Sequence, residues 1–134
     1  MVRIAKETAS KALVRLMLAA GAAAFVATAA QAAGDAAAGK QVFTQCAICH
    51  SNAKGAPAKI GPNLFGVVGR KAGTFPGFNY SPAMKNSGIT WTEDKIAAYA
   101  NDPQKTVPGN RMPFAGLHND KKAADVAAYL ATLK

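Results

Sequence analysis

Cys46-Ala47-Ile48-Cys49-His50 places both cysteines of a 134-residue chain, and one of its two histidines, within five positions. On a helical turn, positions i, i+3 and i+4 share one face. If the run is helical, the two sulfurs and the imidazole are aimed together. Three chemistries need such a cluster: a redox dithiol, a zinc site, and a covalent tether for haem.

The rest of the chain reads as helices joined by ordered loop. Asp35 can cap a helix from about Ala36 into Cys46, with Gly39 and Phe43 on one side. Residues 51–80 are rich in glycine and proline and show no strand alternation. A loop of that length is rare in a compact domain unless it wraps a large ligand. Thr90-x-x-Glu93 reads as a capping box opening a helix to about Asn101. Pro103 ends or restarts that helix, and Pro108-Gly109 marks a turn. Asn119 or Asp120 caps a last helix with Ala123, Val126, Ala127 and Leu130 as an apolar stripe.

This layout separates the three chemistries. A structural zinc ion needs four ligands, whereas the supply is two cysteines, the adjacent His50 and the distant His118. A thiol–disulfide enzyme places its C-x-x-C beside a strand–helix unit, and no strands are predicted. C-x-x-C-H is the signature of covalent haem attachment. Cys46 and Cys49 would form thioether links along one haem edge, with His50 as the proximal iron ligand.

The first 33 residues differ from the remainder. Arg3, Lys6, Lys11 and Arg15 precede an uncharged, alanine-rich run from Leu16 to Ala30, followed by Gln31 and two alanines. This order predicts a secretory signal peptide at 1–33, cleaved to leave a single domain at 34–134. The apolar run is short for a membrane span. Four of the 16 basic residues and one of the 7 acidic residues fall in 1–33, so residues 34–134 carry a net charge of +6. Export makes nucleic acid an unsuitable partner and predicts a periplasmic location, where an oxidising environment leaves idle thiol pairs unprotected.

A haem iron has a second axial position, and its occupant sets function. Met84, Met112 and His118 are the candidates in residues 34–134. Met112 lies in Pro108-Gly109-Asn110-Arg111-Met112-Pro113-Phe114, where flanking prolines favour a stiff, non-helical presentation.

Further motifs carry a family resemblance. Gly39-x-x-x-Phe43, the C-x-x-C-H run, Gly61-Pro62-Asn63-Leu64 and Gly69-Arg70-Lys71 come first. Pro76-Gly77-Phe78-x-Tyr80, Gly88-Ile89-Thr90-Trp91, Pro108-Gly109-x-Arg111-Met112-x-Phe114-Ala115-Gly116 and Ala127-Ala128-Tyr129-Leu130 follow. In this order they resemble the class I cytochromes c of mitochondria and bacterial periplasms. The resemblance implies an all-α cytochrome c fold. Its N- and C-terminal helices cross, and short helices and long loops wrap one covalent haem c. It implies His50 and Met112 as the axial iron ligands, and a Pro62 carbonyl that fixes the His50 ring. Arg70, Tyr80 and Trp91 match residues that meet a buried propionate, and Tyr99 matches a tyrosine near the methionine sulfur.

The function implied is that of a monomeric one-electron carrier, not an enzyme. Its partners would be acidic docking faces on membrane redox complexes (a bc complex, an oxidase or a photosynthetic centre) or periplasmic dehydrogenases. Lys40, Lys59, Lys105 and Arg111 would supply a basic rim. The alternative is a ligand-binding or peroxidase-like haem protein with a labile methionine. The chain departs from the pattern at Met84, where many relatives carry asparagine, and at Asn110 and Gln104, which replace a common threonine and lysine. Gln45 precedes Cys46, and the spacing from Phe43 to Cys46 is one residue shorter than in mitochondrial relatives.

Overall fold

A computed structural model of the chain describes residues 33–134. The leader expected at 1–33 lies, apart from Ala33, outside the described residues. Among those residues the regular elements are helices: α1 (Ala36–Phe43), α2 (Pro82–Lys85), α3 (Glu93–Asn101), α4 (Pro103–Thr106) and α5 (Asp120–Ala131). The nearest approach to a sheet among them is one isolated antiparallel bridge between Lys71 and Thr90.

Asp35 caps α1, its side chain accepting from the backbone N–H of Ala37 at 2.8 Å and Ala38 at 3.1 Å. The helix ends at Phe43, earlier than the expected Cys46. The chain continues as hydrogen-bonded turns, Ala47 N–H to Phe43 O at 2.9 Å and His50 N–H to Cys46 O at 2.9 Å. The attachment run therefore keeps the local helical geometry that its spacing requires. The capping box expected at Thr90 is also displaced. Thr90 is drawn into the bridge with Lys71, and Thr92 caps α3 by accepting from Lys95 N–H at 3.3 Å. Asp102 caps α4, which Pro103 opens, and Asn119 caps α5.

α1 crosses α5, and α3 also packs on α5. The crossing depends on Gly39, where a Cβ would overlap the Asp125 carbonyl. Phe43, Val126, Ala127 and Leu130 close the contact, each no more than 4% exposed. The Phe43 and Tyr129 rings lie 5.4 Å apart. Burying side chains the size of phenylalanine, valine and leucine stabilises a fold by about 1.5–3 kcal/mol each.

Residues 51–80 form no helix. Side chains supply the order that secondary structure does not. The Asn63 amide donates to Ala53 O and Ala56 O, both at 2.8 Å, and its carbonyl accepts from Phe65 N–H at 2.9 Å. The Arg70 guanidinium donates to Asn63 O at 2.8 Å and Phe65 O at 2.6 Å. Such bonds meet the requirement that buried backbone groups find partners.

Candidate functional site

The loop returns to the attachment run immediately after Ile60. Gly61 N–H donates to Cys49 O at 2.8 Å, and the Lys59 ammonium donates to Ala47 O at 2.7 Å. A Cβ on Gly61 would collide with the His50 ring, so glycine is what lets the loop seat against it. The next residue fixes that ring, with His50 Nδ1 2.8 Å from the Pro62 carbonyl. A carbonyl can only accept, so Nδ1 carries the proton and Nε2 keeps a free lone pair. Burial pushes the His50 pKa below its ordinary value; the Pro62 bond opposes that shift and the Lys59 charge adds to it. The result is a neutral imidazole with Nε2 unprotonated.

His50 lines a cavity of about 520 Å³ whose surface is predominantly apolar. Cys46 and Cys49 share that lining and are not joined to each other. Burial, reinforced by Cys49, raises the Cys46 pKa. A redox dithiol relies on a depressed thiol pKa, so the environment runs against that reading.

Met112 enters the same lining from the segment between α4 and α5. Met84 lines it too, from α2, and is buried in the core. His118 does not line the cavity. It sits at the surface with φ +46°, its N–H bonded to Asn101 O at 3.2 Å. Of the three candidates for a second iron ligand, the fold brings the two thioethers to the cavity and leaves the histidine away from it. Met112 is held non-helically, as its flanking prolines suggest.

Pro62, Arg70, Tyr80, Trp91 and Tyr99 all line this cavity. The Tyr80 hydroxyl accepts from Phe75 N–H at 3.2 Å, and burial raises its pKa. Trp91 and Tyr99 stack at a tilt, 5.2 Å between centroids. Burial pushes the Tyr99 phenol up to about 12, so it remains a hydrogen-bond donor at any physiological pH. The Arg70 guanidinium, 5.1 Å from the Phe75 ring centroid, is already committed to two loop carbonyls. It supports the wall as well as offering positive charge to it.

The donor set fits a haem. Two thiols lie one helical turn apart, and a neutral imidazole is oriented through its other nitrogen. Thioethers share the same predominantly apolar cavity, whose volume falls in the range of small-molecule and cofactor sites.

Three features escaped the sequence reading. Ile48 and Ile60, 71% and 67% exposed, are large apolar side chains at the cavity lining. Asn63 and Asn110 are buried and fully engaged. Asp125, on the stripe side of α5, is a buried carboxylate. The Asx pattern, in which a side chain binds the backbone two residues on, was the available signal for both asparagines.

The family model described as Cytochrome c matches residues 36–134. Cytochrome c2 of Blastochloris viridis is 53% identical over 99 residues, covering 74% of this chain and 78% of that protein. Cytochrome c2 of Rhodomicrobium vannielii is 52% identical over 112 residues, covering 84% and 90% respectively. Among solved structures, cytochrome cH from Methylobacterium extorquens superposes with a TM-score of 0.69 at 44% identity. That match covers 74% of this chain and 99% of the other.

Proposed function

The chain belongs to the cytochrome c family, and on that premise we propose that it is exported to the periplasm and carries single electrons between membrane-bound redox complexes. Its fold is the all-α cytochrome c fold, its cofactor is a covalent c-type haem, and its function is electron transfer. One observation supports the detailed reading above the others: Cys46, Cys49, a neutral His50 and Met112 line one apolar cavity.

When bound, the haem supplies an iron that takes up and releases one electron. Cys46 and Cys49 would tether it, and His50 Nε2 and the Met112 sulfur would hold the iron. Pro62 keeps the imidazole in the tautomer that leaves Nε2 free. With His50 and Met112 both holding the iron, no place would remain for a substrate. A thioether ligand and buried apolar walls favour the reduced state. Arg70, Tyr80 and Trp91 would meet a propionate, since a carboxylate in an apolar wall needs donors or a cation. Tyr99 would donate toward the methionine sulfur.

Lys59, beside the C-x-x-C-H run, is exposed. Lys40, Lys105 and Arg111 are also exposed and extend the positive charge. Such a surface suits rapid, salt-sensitive encounters with acidic partners. Residues 1–33 act in this reading as a removable leader. No helix among the described residues is long and apolar enough to cross a membrane.

Carbon monoxide added to the reduced protein at neutral pH separates this carrier from a ligand-binding haem protein. Negligible binding on mixing is expected. Rapid, stoichiometric binding would move the assignment to the ligand-binding class.

A further inference from the structure

We propose that Asn110 is the positioning residue for Met112, and that its side-chain bracket sets how readily Met112 leaves the iron. The inference rests on the reading of Met112 as an axial ligand.

Asn110 is 8% exposed and stands two residues before Met112. Its Nδ2 donates to Pro103 O at 3.0 Å and to Val107 O at 2.9 Å, and its Oδ1 accepts from Met112 N–H at 2.9 Å. The partners dictate the amide orientation, because two carbonyls must face N–H and one N–H must face oxygen. One side chain thus ties the first residue of α4, the residue closing α4 and the methionine into a single unit. Gln104 adds an outer strap, donating to Asn110 O and accepting from Gly109 N–H, both at 3.3 Å.

No common replacement reproduces this set. Aspartate brings no donors and would face two carbonyls. Threonine has one donor, and alanine or leucine has neither donor nor acceptor. A bracket of buried, mutually satisfied groups resists opening, because breaking it strands all its members without water.

The chain uses the same device on the histidine side. Asn63 donates to two carbonyls and accepts from the N–H two residues on, and it directly follows Pro62, whose carbonyl holds His50. Each of the two residues read as iron ligands is therefore backed by a buried asparagine bracket, through Pro62 on one side and through its own N–H on the other.

The test measures the ferric holoprotein in two ways: the rate at which added imidazole displaces the methionine, and native-state hydrogen exchange at the Met112 and Leu130 amides. In the wild type the Met112 amide should be strongly protected. In Asn110→Ala, imidazole displacement and Met112 exchange should both quicken by about tenfold or more. Exchange at Leu130, in α5, should rise less, which separates local release from general destabilisation. Equal acceleration at both amides, or an unchanged displacement rate, would overturn the proposal. If Asn110→Ala does not fold, the wild-type measurement still decides: a Met112 amide exchanging as fast as an exposed loop amide refutes the bracket. Imidazole binding to wild type without loss of a sulfur–iron signal would instead refute the ligand reading, while protection at Met112 would still report on the bracket.

Discussion

The Asp125 carboxylate accepts the Asp35 backbone N–H at 2.8 Å, joining the N-cap of α1 to the middle of α5 across 90 residues. Its other oxygen accepts from Lys121 Nζ at 2.7 Å. The Lys121 hydrogen bond, then that of Asp35 N–H, holds the Asp125 carboxyl below its ordinary 3.8. A carboxylate with a depressed folded-state pKa contributes stability that is fully present above the unfolded value and is lost as pH falls through the folded one. The crossing should therefore weaken below about pH 4. Urea midpoints at pH 7 and pH 3 should differ more for the wild type than for Asp125→Asn, which keeps an acceptor for Asp35 but cannot titrate. Equal acid sensitivity in the two proteins would remove Asp125 from the account.

Gly39→Ala tests the same crossing by volume. The added methyl meets the Asp125 carbonyl, which is backbone and cannot rotate away. Forcing the helices apart should cost about 1–3 kcal/mol, read as a lower urea midpoint with haem still attached. A neutral result would mean that α1 and α5 pack less tightly than described.

Arg70→Ala should destabilise the protein by about 2–3 kcal/mol, since it deletes charge-assisted bonds to two loop carbonyls. Arg70→Lys should recover less than half of that, because an ammonium cannot fork onto both oxygens. Denaturant titration of the three proteins measures this. Complete rescue by lysine would show that positive charge alone matters there.

Much of this was legible in the residues. The C-x-x-C-H run and the α5 stripe carry their own geometry, because helical spacing fixes which side chains share a face. Helical spacing put Gly39 and Phe43 on one face, but the close approach at Gly39 was implied only by the resemblance, in which the terminal helices cross. Helix ends were less legible. Thr90, with Glu93 three residues on, offers the stronger local cap, yet its pairing with Lys71, distant in sequence, leaves the cap to Thr92. The asparagine brackets were hidden because their partners, such as Ala53 for Asn63 and Pro103 for Asn110, are set by loop paths that no periodicity encodes. Asp125 reads as a surface charge until the α1 terminus is known to lie against it.

The most direct test of the central claim is the absorption spectrum of the ferric protein in the far red, where a methionine sulfur bound to haem iron gives a weak charge-transfer band. Wild type and Met84→Ala should show the band, and Met112→Ala should lack it. A band that survives in Met112→Ala and disappears in Met84→Ala would contradict the assignment, and a wild type with no band would contradict methionine ligation altogether.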